Sequence, residues 1–177
     1  MVGAGDQIKQ YLVIDLGTYI QYPQEDVRRM LTHEMAHVIL NDSTAGAKAT
    51  AIPRWLHEGL AQSVTGEGHE AVQKMFAYWK GADGQLSDVG LCDLDGAVDE
   101  FAHGPDNAYC YPEYYLAVQR LRQLGGPHTL PILLKGLREG MSINDLIERL
   151  AGLDAAAFQA AVQRYASDIF SGRRKIP

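Results

Sequence analysis

Residues 33–37 read His-Glu-Met-Ala-His and limit the possible folds of this chain more than any other segment. They match the pattern H-E-x-x-H and lie within a predicted helix over about 24–40. On a helix, His33 and His37 are one turn apart on the same face and can bind one ion through their ring nitrogens. Glu34 projects about 100° away from His33, beside the ion, where a base for a metal-bound water belongs. The motif therefore predicts a metal site that opens into a cleft.

The same helix is expected to bury the face opposite the two histidines. Five apolar residues project to that side: Val27, Leu31, Met35, Val38 and Ile39. A helix with one apolar face can pack against the core while its imidazoles face a cleft. The alternative interpretation is that both histidines form only local hydrogen bonds within the helix.

A third metal ligand is expected on the next predicted helix, over about 54–64, because hydrolytic zinc sites combine three protein ligands with one open position. Its segment WLHEGLA follows the earlier HEMAHVIL. Together the two segments resemble the glutamate zincins, and in particular the peptidase MA-like metallohydrolases, with thermolysin and the aminopeptidases as more distant relatives. The resemblance implies that Glu58 is the third zinc ligand. His57 can also bind zinc, but adjacent helix residues point about 100° apart, so only one of the two is expected to face the site.

Two amides are candidates for hydrogen bonds that orient the ligands. Gln62 follows Glu58 by one turn, and Asn41 follows His37 by one turn. Outer partners of this kind usually fix metal ligands. The alternative, that both amides are simply exposed on the surface, is equally compatible with the sequence.

A cluster of tyrosines begins a later predicted helix over about 112–124. Aminopeptidase-type zincins carry a catalytic tyrosine ahead of a similar helix, and the resemblance implies that Tyr111 stabilises the oxyanion formed during hydrolysis. Tyr114 stands where these relatives usually have a small residue, so Tyr109 and His103 remain rival candidates. For the other tyrosines, a half-buried aromatic patch explains the cluster equally well.

Residues 81–108 contain no Lys or Arg and seven acidic residues, and they are predicted to form a long acidic loop at the cleft. The acids at 93–100 do not have the spacing of a calcium loop, so a solvated loop is the preferred interpretation. A further hypothesis is that this loop favours basic substrate side chains. His69 and His128 are expected at the surface.

The predicted fold class is α+β and predominantly α, with the zincin-like architecture of a thermolysin-type catalytic domain. Strands are expected over 8–16 and about 19–21, within a short N-terminal β portion at 1–22. The metal-binding helices occupy 23–66, and the C-terminal helices occupy 109–177. Further helices are predicted at about 70–80, 129–138, 142–150 and 154–170, with Ser142 and Asp154 as N-caps. We expect one catalytic domain over 1–177, either a minimal module or part of a longer chain, because so few residues precede the motif.

The composition limits which kinds of partner this protein can bind and in which compartment it is expected. A formal charge of −6 and a pI near 5.4 make nucleic acid a poor candidate partner. No apolar run is long enough for a membrane span, and the N-terminus lacks the pattern of a signal peptide. We expect a cytoplasmic protein by default, or a secreted one if an upstream segment is missing. Cys92 and Cys110 are too few for a disulfide scaffold.

The resemblance implies a zinc-dependent peptidase that acts on peptides or proteins, with Zn²⁺ as cofactor and Glu34 as general base. The main alternative is a catalytically silent zinc-binding domain of the same family that serves protein interaction. A DNA-associated protease fits poorly with the acidic charge, and a purely structural helical bundle leaves the motif unexplained.

Overall fold

The computed structural model describes residue 17 and residues 20–44, 52–79 and 110–177, and this part of the chain is predominantly helical. It contains seven helices of nine residues or more: α1 (Gln24–Ser43), α2 (Arg54–Thr65), α3 (Glu67–Trp79), α4 (Cys110–Gly125), α5 (Thr129–Arg138), α6 (Ile143–Ala151) and α7 (Ala155–Phe170). Each helix expected from the sequence in these ranges is present. None of the described helices is long and apolar enough to cross a membrane.

The predicted β portion is not seen in the described residues, none of which forms a strand. The strand expected over 8–16 lies outside them, as does the acidic loop at 81–108. The prediction of a second short strand at 19–21 is wrong for Ile20 and Gln21, which form a turn. Pro23 lies directly before Gln24, the first residue of α1, and its fixed φ is compatible with the start of a helix.

Helix ends follow the local hydrogen bonds that satisfy free backbone groups. Ser142 and Asp154 are confirmed as N-caps, since their side chains accept hydrogen bonds from the backbone N–H of Asp145 and Ala157. The prediction that α1 stops near residue 40 is wrong, because the helix runs to Ser43. Thr44 then ends it, with both its N–H and its hydroxyl donating to the carbonyl oxygen of Leu40.

Helix α4 lies at the centre of the described packing. It contacts α2, α3, α5, α6 and α7, and nine of its residues are buried. One apolar cluster joins it to α2, α5, α6 and α7, and a second joins it to α3 and α7. Val118 and Leu121 of this helix are each about 1% exposed. Elements placed against α4 are therefore held by the core itself.

The expectation that α1 buries one whole apolar face is wrong for two of its residues. Met35 is 44% exposed and Ile39 is 58% exposed, while Val27, Leu31 and Val38 are half-buried. Met35 and Ile39 line an open apolar groove of about 310 Å³ together with residues of α2 and α5. Burial of α1 instead centres on Leu40, which packs into the cluster around α4.

Candidate metal centre

The two histidines of α1 share one face of the helix, as their spacing requires. The ring centroids of His33 and His37 are 4.9 Å apart, with the rings nearly perpendicular. The side chain of His33 is 17% exposed and that of His37 is 21% exposed. Both imidazoles are thus withdrawn from bulk water but still reachable by a ligand.

Helix α2 brings Glu58 between these two rings. Its Oε2 lies 3.2 Å from Nε2 of His33 and 3.7 Å from Nε2 of His37. One donor atom from each of the three residues falls within 4.8 Å of the other two. Two imidazole nitrogens and one carboxylate oxygen form the ligand set of many hydrolytic zinc sites, so these residues fit a Zn²⁺ ion. In the described part of the chain, no other group of His, Cys, Asp or Glu meets the same criterion.

The carboxylate of Glu58 and the imidazole of His33 each stabilise the charged form of the other. The hydrogen bond with Glu58, reinforced by one with Glu67, outweighs burial and raises the pKa of His33 to about 9. Burial opposes the ionised form of Glu58, but the hydrogen bond from His33 and the nearby positive charges prevail and lower the pKa of its carboxyl. The cluster therefore favours an ionised carboxylate, which is the form that binds a metal.

Glu67 is a site residue that the sequence reasoning missed. It is the first residue of α3, and its Oε2 lies 2.9 Å from Nδ1 of His33. The remaining ring nitrogen of His33, Nε2, faces Glu58. A carboxylate that holds one imidazole nitrogen while the other is directed to a metal is the usual outer support of a metal-binding histidine. The available signal was an acidic residue next to Gly66, which has a positive φ of 77° and ends α2.

Glycines hold the two helices that carry these carboxylates against the central helix α4. Glu58 is followed by Gly59, and a Cβ there would lie 2.3 Å from the carbonyl oxygen of Tyr114. Glu67 is followed by Gly68, and a Cβ there would lie 2.1 Å from the ring of Tyr115. Only glycine permits these close approaches, so α2 and α3 lie tight on α4 beside each site carboxylate.

His57 and Gln62 take positions other than the ligand group. The ring of His57 lies 5.5 Å from that of His37, and burial together with the positive charge of His37 lowers its pKa. Gln62 is buried rather than surface-exposed, and its Oε1 has no hydrogen-bond partner in the described structure. Asn41 is half-buried in α1.

Glu34 is exposed on α1 and directly follows His33 in the sequence. Its side chain is exposed, and no ion pair or hydrogen bond ties it to another described residue. A carboxylate in this position is available to a water molecule or to a substrate.

Tyr111, in the first turn of α4, is connected to the ligand helix through Arg54. Nη2 of Arg54 donates to the Tyr111 hydroxyl at 2.9 Å, and the guanidinium carbon lies 5.6 Å from the centre of the same ring. Arg54 precedes Glu58 by one turn of α2, and its positive charge contributes to the lowered pKa of Glu58.

The other tyrosines of α4 belong to the core. Tyr114 and Tyr115 are buried, and burial raises the pKa of each phenol. The rival candidates Tyr109 and His103 lie outside the described residues, as do the acids at 93–100 and Cys92. His69 and His128 are exposed, as expected.

Comparison with known proteins supplies the family. Neither a curated protein nor a solved structure matches the chain significantly. A family model described as the peptidase MA superfamily matches residues 9–168, a span that includes every residue of the ligand group. The match covers most of the 177 residues, and the chain therefore belongs to the peptidase MA superfamily.

Proposed function

We propose that this protein is a zinc-dependent metallopeptidase. One observation carries the proposal: donor atoms of His33, His37 and Glu58 converge within 4.8 Å in a member of the peptidase MA superfamily. The three residues come from two helices, and 20 residues of chain separate His37 from Glu58, so their convergence is a property of the tertiary fold. A surface pair of helix histidines would not recruit a part-buried carboxylate from another helix.

His33, His37 and Glu58 would hold the ion, with Glu67 fixing the orientation of the His33 ring. When bound, zinc supplies a Lewis acid that polarises a carbonyl group and lowers the pKa of a coordinated water towards about 7. The chain's own part is to present two imidazoles and one ionised carboxylate, and His33, whose pKa is raised to about 9, would release its proton when the ion binds. The depressed pKa of Glu58 supports this role, because its carboxyl stays ionised at neutral pH.

Glu34 is the proposed general base. Its exposed carboxylate is adjacent to His33 in sequence and has no described partner that competes for its oxygens. It would accept a proton from the attacking water and deliver it to the leaving amine, as a general base and then general acid does.

Tyr111 is the proposed donor to the developing oxyanion. Arg54 can only donate, so the hydrogen bond between them makes the Tyr111 oxygen an acceptor. The hydroxyl hydrogen of Tyr111 is then available for a substrate oxygen. A positioned donor of this kind contributes a few kcal/mol to the transition state, about 10²–10³ in turnover.

The Glu34→Gln variant tests the proposal. It should bind one zinc ion like the wild type but lose peptide hydrolysis by about 10² or more, since the amide cannot accept the proton. Metal content is measured by elemental analysis, and cleavage is measured by mass spectrometry on a diverse peptide library. Asp42→Asn, a carboxylate-to-amide change at another exposed position of the same helix, should retain both properties.

Two outcomes would contradict the proposal. Undiminished cleavage by Glu34→Gln would remove this residue from the role of base. One bound zinc ion with no cleavage by the wild type would instead favour a catalytically silent zinc-binding domain that serves protein interaction.

A further inference from the structure

Arg54 carries a hydrogen-bonding group that neither the fold nor the proposed chemistry uses. It is the first residue of α2 and lies one turn before Glu58, on the same face of the helix. Nη2 donates to Tyr111, whereas Nη1 is buried and has no hydrogen-bond partner among residues 20–44, 52–79 and 110–177. A buried donor on a charged group is costly to leave unpaired, so its occurrence beside a candidate active site points to a ligand.

Charge indicates the chemistry of that ligand. Among the described residues, Glu58 is the one carboxylate whose charge raises the pKa of Arg54, and the one side-chain hydrogen bond of Arg54 is to the hydroxyl of Tyr111. Once Glu58 shares its charge with a dication, no carboxylate of the described residues would give the guanidinium a full counter-charge. Arginine prefers carboxylates as partners, because its planar donors match the two carboxylate oxygens.

We propose that Arg54 binds a carboxylate of the substrate close to the scissile bond, and so makes this site selective for peptides that carry one there. The inference rests on the proposed peptidase function, because it names a substrate class for the same site. One turn of helix α2 spans about 5–6 Å, and successive residues of an extended peptide are about 3.5 Å apart. The recognised carboxylate therefore lies within about two residues of the bond that is cleaved.

Two sources can supply this carboxylate: the C-terminal carboxyl of a short peptide, or an Asp or Glu side chain. Matched peptides separate them. The first pair is N-acetyl-tetraalanine with a free or an amidated C-terminus. The second pair is an amidated N-acetyl-tetrapeptide that differs only by Asp or Asn at one position, scanned through the four positions.

Binding, measured by calorimetry, is the readout, and the protein is the zinc-loaded Glu34→Gln form, in which turnover is blocked. We expect at least one carboxylate peptide to bind roughly ten- to a hundredfold more tightly than its amide partner, the range for a hydrogen bond to a charged group. When Arg54→Gln is added to the Glu34→Gln protein, the ratio of the two affinities should fall to about one. Arg54→Lys should retain part of it, because the charge remains while the planar donors are lost.

Arg164→Gln is the matched control. It removes the same charge from an exposed position on α7 and should leave the preference unchanged. Circular dichroism of each variant establishes that the helices are intact. A preference that persists in Arg54→Gln would show that the carboxylate binds the metal instead, and equal binding of both members of every pair would overturn the inference as well.

The outcome for Arg54 is separable from the outcome for the proposed function. Cleavage by the wild type without an Arg54-dependent preference would sustain the peptidase and refute the carboxylate site. An Arg54-dependent preference without cleavage by the wild type would sustain the carboxylate site in a protein that is not a peptidase.

Discussion

His33 is held from both sides of its ring, by Glu67 at Nδ1 and by Glu58 at Nε2. The two carboxylates arrive from different helices, and neither is close to His33 in sequence. A metal ion in the site would compete for Nε2 and leave the bond to Glu67 in place. The geometry therefore fits Glu58 as the proposed ligand and Glu67 as the proposed outer support of His33.

Replacing Glu67 with Gln should weaken zinc binding by about tenfold to a hundredfold, the usual effect of losing an outer carboxylate on a metal-binding histidine. The amide keeps the shape but loses the charge that steadies the imidazole. Competition with a chromophoric chelator measures the affinity. Glu70→Gln, on the same helix and in an exposed ion pair with Arg29, should change it little. Equal losses in both variants would mean that Glu67 acts only through overall charge.

At this scale the sequence predicts what is local. His33, Glu34 and His37 follow from helical spacing alone, and Glu58 came from the family resemblance of its segment. Glu67 and Arg54 could not be predicted, because their roles depend on partners 34 and 57 residues away. Only the packing of α3 and α4 against the ligand helices creates those contacts.

The helices that carry the site have a common relation to α4. On α2 and again on α3, a site carboxylate is followed directly by a glycine whose backbone touches α4. The glycine sets how closely its helix approaches α4. This distance fixes where the preceding glutamate lies relative to the core. In the pairs Glu58-Gly59 and Glu67-Gly68, the packing of each glycine on α4 thus determines the position of the neighbouring site carboxylate.

Gly59→Ala tests this relation. In most exposed helix positions this change stabilises by up to about 1 kcal/mol, because alanine is the better helix former. Here the added Cβ would lie 2.3 Å from a backbone oxygen of Tyr114 and 2.6 Å from Val118. We expect the free energy of unfolding to fall by about 1–3 kcal/mol and zinc affinity to fall with it.

Urea unfolding followed by circular dichroism measures the effect of Gly59→Ala. Gln163→Ala, a change at an exposed position of α7, should stay within about 0.5 kcal/mol of the wild type. A Gly59→Ala protein as stable as the wild type would show that α2 is free to move away from α4.

Features of the helices could be predicted where neighbouring residues determine them. They could not be predicted where packing against distant elements determines them. The N-caps Ser142 and Asp154 were correct because a cap is formed by residues three positions apart. The buried face of α1 was wrong at Met35 and Ile39, since periodicity gives the direction of a face but not whether another element covers it. The end of α1 was also missed. Residues 41–43 are polar, and such a run usually stops a helix, but here they form its last turn. Thr44 then donates to the carbonyl of Leu40 and ends the helix.

Across the whole described structure, α1 is held by contacts around its two ends and at the site. Arg29 pairs with Glu70 of α3 near the beginning, and Arg138 of α5 donates to the carbonyl of Ser43 at the end. Between them, the ligand group joins α1 to α2. A metal bound there would act as a cross-link between helices that otherwise meet mainly through side-chain packing.

Zinc should therefore stabilise the folded protein in proportion to its occupancy. At a free zinc concentration of about 100 times Kd, the stabilisation is about 2.7 kcal/mol if the unfolded chain does not bind. For a chain of this size that corresponds to a rise in Tm of about 5–10 °C. Differential scanning calorimetry with zinc and after chelation measures the difference.

The histidine variants assign that stabilisation to the site. His33→Ala and His37→Ala should each lose most of the zinc-dependent rise in Tm, because the remaining two ligands bind too weakly to be occupied at the same concentration. His128→Ala removes an exposed imidazole just before α5 and should keep the full rise. A rise that survives in His33→Ala would place the stabilising zinc elsewhere on the molecule. Because Tm responds to binding and not to turnover, this result stands whether or not the protein cleaves any peptide, and it decides whether the converged ligands hold metal at all.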